Sequence, residues 1–88
     1  MARFEMPVED VGHAAAGGAA DAFFELGMRY SAGRGVAIDL VEAHKWFNLS
    51  AMRGNEVAKT YRLELSREMT RVEVSKAQRL AREWLSRH

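Results

Sequence analysis

The stretch "LGMRYSAGRGVAIDLVEAHKWF", Leu26 to Phe47, decides how this chain folds. Two of the seven glycines, Gly33 and Gly35, flank Arg34 here, and Val36 follows directly. Such a loop either cradles phosphate or only turns the chain. A dinucleotide fingerprint requires a third glycine at position 38, which is Ile38, and a strand leading in. Helix formers lead in instead, and the Gly-Lys-Ser/Thr of a phosphate loop is also missing. The turn reading uses every residue. Gly33 ends one helix in the left-handed conformation and Gly35 accepts a positive φ. Val36 is expected to fill the space between two helices, and Asp39 to cap the second, with Glu42 completing a capping box. Gly27 lets the second helix come close beside Trp46.

Working outward, helix formers dominate, β-branched residues are sparse and proline occurs once, at Pro7, so the chain reads as all-α. Helix one repeats Ala22, Leu26 and Tyr30 every fourth position, its expected buried face. Helix two carries a stripe of Ala43, Trp46, Phe47 and Ala51 and ends at Gly54; His44, one position off the stripe, is expected half-exposed. Helix three runs from about Asn55 to Met69 with Val57, Ala58, Tyr61, Leu65 and Met69 inward. Thr70 and Glu73 form a cap-and-box pair opening helix four, whose apolar face is Val74, Ala77, Leu80, Ala81, Trp84 and Leu85. Residues 20–88 read as one helical domain, and residues 1–19 as a segment either flexible or packed on helix one through Phe4, Met6, Val8 and Val11.

An internal repeat is visible. "AAAGGAADA" (Ala14 to Ala22) matches "SAMRGNEVA" (Ser50 to Ala58) at a spacing of thirty-six, pairing Ala15 with Ala51, Gly18 with Gly54 and Ala22 with Ala58. "AHKWF" (Ala43 to Phe47) echoes "AREWL" (Ala81 to Leu85) at thirty-eight. Helix–turn–helix units at this period are the signature of an α-solenoid. The expected architecture is a minimal α/α solenoid of two antiparallel hairpins, one good repeat and one degenerate capping repeat.

These positions resemble the Sel-1-like repeat, a branch of the tetratricopeptide-like solenoids. Ala22, Leu26, Gly27, Tyr30, Gly33, Gly35, Val36, Asp39, Ala43, Trp46, Phe47, Ser50, Ala51, Gly54 and Ala58 stand at that family's spacing. Helix four, "MTRVEVSKAQRLAREW", is similar to the closing helix of short bacterial members. Two departures stand out: "EMTRVEVS" replaces the glycine loop in the second hairpin, and Phe23 occupies a position that is usually polar. The resemblance implies an adaptor or scaffold that binds other proteins and carries no chemistry of its own.

The totals agree with that expectation. Eighty-eight residues make one small domain, and a net charge of +1 favours neither nucleic acid nor membrane. With no cysteine, disulfides and thiolate metal sites are excluded. The acids Glu5, Glu9 and Asp10 interrupt any leader peptide and no apolar run is long enough to span a bilayer, so a cytoplasmic domain is expected. His13, His44 and His88 share no ligand spacing, and no nucleophile–base arrangement is present, so no metal, cofactor or catalytic residue is expected.

Phe23, Phe24, Met28 and Leu49 are the candidate partner-binding residues. Phe24 and Met28 flank the core face of helix one toward the inner side of a solenoid. Phe23 and Leu49, off the main stripes, are expected to mark a surface that the N-terminal segment, a partner protein or a second copy covers. A non-enzymatic interaction module is the expected function. The alternative is nucleic-acid binding by residues 55–88, with eight basic and five acidic side chains and with Arg79 and Arg82 on one helical face.

Overall fold

The computed structural model describes residues 18–88, and the expectations placed on Phe4, Met6, Val8, Val11 and the rest of residues 1–17 lie outside the described residues. Four helices follow in order: α1 (Ala19–Ala32), α2 (Leu40–Met52), α3 (Glu56–Glu68) and α4 (Arg71–Arg87). Among the described residues there is no strand, and no helix is long and apolar enough to cross a membrane.

Short polar side chains start three of these helices. The Asp39 carboxylate accepts from the Glu42 N–H, the Asn55 side-chain carbonyl from the Ala58 N–H, and the Thr70 hydroxyl from the Glu73 N–H, each at 3.1 Å. Each satisfies an amide that has no partner within its own first turn. Only Thr70 and Glu73 complete the reciprocal box, the Glu73 carboxylate accepting from the Thr70 N–H at 2.8 Å. At Asp39 the expected box is half made. Glu42 turns its carboxylate to the Trp46 indole N–H (3.2 Å) and the Lys45 ammonium (3.0 Å) instead.

The turn between α1 and α2 is held by backbone. Gly33 takes φ 75°, and its N–H and that of Arg34 both return to the Arg29 carbonyl, at 2.8 and 3.0 Å. The Asp39 N–H closes the loop on the Tyr30 carbonyl at 3.0 Å. Val36, expected to fill the space between the helices, is exposed. Ile38 lies against Gly33 instead: a Cβ there would meet its Cγ1 at 2.8 Å, while most of the isoleucine stays exposed.

α2 packs against α1, α3 and α4. Along it lie two apolar clusters. One joins Ala43 and Phe47 of α2 with Ala58 and Leu65 of α3, Met69, and Ala77 of α4; the other joins Phe23 of α1, Leu49 of α2 and Ala81 of α4. Ala43, Ala58, Ala77 and Ala81 are wholly buried, and their small side chains let the backbones approach. The buried face of α1 is Ala20, Phe23 and Gly27, not the Ala22, Leu26 and Tyr30 of the fourfold pattern. Leu26 and Tyr30 are half-buried and Ala22 is exposed. Turning Phe23 inward removes far more apolar area from water than turning Ala22 inward. Ala58, which the expected repeat pairs with Ala22, is buried against Ala43 and Phe47 of α2, whereas no described helix precedes α1. Val57, expected inward, is exposed beside it.

Gly27 fixes the closest approach. A Cβ there would stand 2.6 Å from two carbons of the Phe47 ring, so the neighbour it makes room for is Phe47, not Trp46. Gly35 has φ 76° and, among the described residues, open space around it, so the constraint they show there is conformational. Gly27→Ala is therefore expected to lower stability by about 1–3 kcal/mol through overlap, and Gly35→Ala by about 1–2 kcal/mol through backbone strain. In urea titrations, Phe47→Leu should combine non-additively with Gly27→Ala and additively with Gly35→Ala.

Candidate protein-interaction site

The four candidate residues separate into two environments on either side of α2. Phe23 and Leu49 are interior, at 9% and 0% exposure. The expectation that they mark an uncovered surface is corrected by α4, which lies over them. The Phe23 ring meets Trp84 edge-on at a centroid distance of 5.1 Å and Trp46 tilted at 5.6 Å, and the two indoles meet edge-on at 5.8 Å. Edge-to-face contacts of this kind add to the burial energy, because the positive ring edge faces the negative ring face. The His88 imidazole stacks on Trp84 at 4.1 Å, while its Nδ1 lies 2.9 Å from the Trp84 carbonyl oxygen. The Lys45 ammonium stands 4.2 Å over the Trp46 ring in a cation–π contact, and the Glu42 carboxylate, bonded to both side chains, holds the two together. The sequence carries a signal for this closure, since Trp84 lies on the apolar face of α4.

Phe24 and Met28 stand on the other side. Both are half-buried and pack against the Ala43–Phe47–Ala58 cluster. Phe24 meets Phe47 at 5.6 Å and, edge-on, Tyr61 of α3 at 5.4 Å; Tyr61 in turn stacks on Phe47 at 5.3 Å. Phe24, Met28 and Tyr61 thus form a partly exposed apolar seam joining α1 to α3 over α2. Spacing alone puts Tyr61 on the inner face of its helix. Its meeting with Phe24 depends on how α1 and α3 sit on α2, which local spacing does not encode.

The remaining motif residues hold this frame. Leu26 and Tyr30 complete α1, while Gly33, Gly35 and Asp39 make its turn into α2. Gly54, at φ 107°, makes the turn into α3, and Ala51 is half-buried. The Ser50 hydroxyl, fully buried, donates to the Ala20 carbonyl at 2.7 Å and ties α2 to the start of α1.

His44, expected half-exposed, is 1% exposed. It faces α3, where its Nε2 lies 3.0 Å from the Ser66 Oγ. Among the described residues no group of three or more histidines and carboxylates is placed to hold a metal ion. On the outward side of α4, Val72, Ser75, Lys76, Arg79 and Arg82 line a shallow depression, with Arg79 paired to Glu83 at 3.2 Å.

Comparison with protein-family models, with curated proteins and with solved structures finds no match for the chain.

Because Phe23 and Trp84 are packed together, truncating either is a core lesion. Phe23→Ala and Trp84→Ala are each expected to cost about 3–5 kcal/mol, measured by chemical denaturation. The double variant should cost less than the sum of the two. Phe23→Asp should unfold the chain, visible as lost helical ellipticity before any binding is assayed.

Proposed function

We propose that this chain is a small non-enzymatic protein–protein interaction module of the Sel-1-like type. In this reading α1 and α2 form one complete repeat, and α3 and α4 form a degenerate closing repeat of a minimal α/α solenoid. The seam of Phe24, Met28 and Tyr61 is the observation that carries it. These side chains come from the first helix of each pair, lie on the same side of α2 and remain partly open. A helix or extended peptide laid along them would cover apolar surface without disturbing the buried contacts of Phe47. The binding role therefore stays with Phe24 and Met28 and passes from Phe23 and Leu49 to Tyr61.

A second reading, regulation through nucleic acid, draws on the outward face of α4. Lys76, Arg79 and Arg82 project there in a row at helical spacing. Such binding would weaken steeply with salt, because each phosphate contact releases counterions. Burial of an apolar seam would not.

The test is affinity capture from the native cell with wild type beside Met28→Gln, which keeps side-chain length but replaces the thioether with an amide. The expected result is one stoichiometric protein partner, lost or weakened at least tenfold in the variant, while the thermal melt stays within a few degrees. Equal capture by both proteins would move the interface elsewhere. Capture of nucleic acid that is abolished by Lys76→Glu with Arg82→Glu would favour the second reading.

A further inference from the structure

We propose that His44 is an acid-released catch between α2 and α3, whose protonation loosens α3 from α2 and bares the rings of Phe47 and Tyr61. This stands independently of the interaction reading above. The α2–α3 contact differs from the other helix pairs in having a polar seam beside its apolar cluster. His44 and Asn48, one turn apart on α2, face Ser66 and Arg62, one turn apart on α3. The His44 Nε2 is 3.0 Å from the Ser66 Oγ, and the Arg62 Nη1 donates to the Asn48 Oδ1 at 2.6 Å. The Ser66 hydroxyl donates to the Arg62 carbonyl at 2.9 Å, which uses its proton. His44 then donates through Nε2–H, and Nδ1 keeps the lone pair.

That Nδ1 is buried and has no hydrogen-bond partner among the described residues. A second proton on the ring would go there, creating a buried N–H with no acceptor on a ring that has become a cation. The charged group beside it is Arg62, of the same sign. No nearby carboxylate among the described residues is placed to compensate. Glu42 serves Trp46 and Lys45, while Asp39 and Glu73 serve helix caps. Glu25 pairs with Arg29 and Arg34, Glu56 with Lys59, and Glu83 with Arg79. Asp21, Glu64 and Glu68 are exposed. An uncompensated cation in such a site is relieved by separating the surfaces that enclose it.

Burial first, and the Arg62 charge second, hold the His44 pKa below the ordinary histidine value. The direction of the pH effect follows. An unfolded or opened histidine takes its proton near pH 6.5, whereas the closed site takes it only at lower pH. Between those two values the open form carries more protons, so stability is full above about pH 6.5 and drains away as pH falls through the folded value.

Amide exchange and ring titration by NMR on the whole chain test this at about pH 7.5 and about pH 5.5. After correction for intrinsic exchange, α3 amides should lose protection at the lower pH at least tenfold more than those of α1, and the His44 ring should titrate below the ordinary histidine value of about 6.5. His44→Leu should flatten the pH dependence of the melting temperature, and the double variant His13→Gln with His88→Gln should retain it. Equal loss of protection in all helices, an ordinary His44 titration, or a pH response that follows His13 and His88 would each overturn the proposal. The wild-type measurements decide the matter even if His44→Leu does not fold.

Discussion

The seating of Phe47 against the bare backbone of Gly27 sets the spacing on which the remaining packing depends. With no Cβ at Gly27, α1 lies close enough for the ring to fill the gap between the helices. Phe47 is then wholly buried and serves as the surface on which Phe24 and Tyr61 settle, at 5.6 and 5.3 Å. A larger residue at position 27 would displace Phe47 and, through it, both neighbouring rings. Because protein interiors pack near crystal density, a shift of this kind propagates rather than being absorbed.

The same close packing makes α2 the common partner of the other three helices. Its residues divide by direction. Leu49 and Trp46 face the side that α4 covers, Ala43 and Phe47 the centre, and His44 and Asn48 the side of α3. One side is closed by the Phe23–Trp46–Trp84 triangle and the other leaves Phe24, Met28 and Tyr61 half-open. This asymmetry is the physical ground for looking to the α1–α3 seam, rather than the α4 side, for a partner. It also explains what α4 does for the fold. The apolar face of that helix, through Ala81, Trp84 and Leu85, closes the cluster around Phe23 and Leu49.

The contacts of α2 also differ in chemistry. Those with α1 and α4 are apolar and aromatic, apart from the buried Ser50 hydroxyl, which has its acceptor. The contact with α3 adds a histidine, an arginine, an asparagine and a serine. Buried polar groups hold an interface strongly while each is satisfied and weaken it when one is not. Among the described residues the His44 Nδ1 is the unsatisfied member.

Much of the local structure was legible in the sequence because it depends on neighbours in the chain. The left-handed Gly33, the caps at Asp39 and Thr70, the four helices and the inward face of α4 follow from residue type and spacing within a few positions. All-α character follows for the same reason. What the tertiary structure decided was rotation and cover. The fourfold recurrence of Ala22, Leu26 and Tyr30 marks a helical face, but burying the Phe23 ring turned α1 toward a different one. Phe23 and Leu49 looked uncovered because the residue that covers them, Trp84, lies some sixty positions beyond Phe23 and thirty-five beyond Leu49. His44 lay one position off a stripe that admitted only apolar residues, and its burial became visible only when α3 brought Ser66 within hydrogen-bond reach. Local pattern fixes which faces are apolar; which of them meet is settled by packing between helices far apart in the chain, where area, volume and hydrogen-bond satisfaction are balanced together.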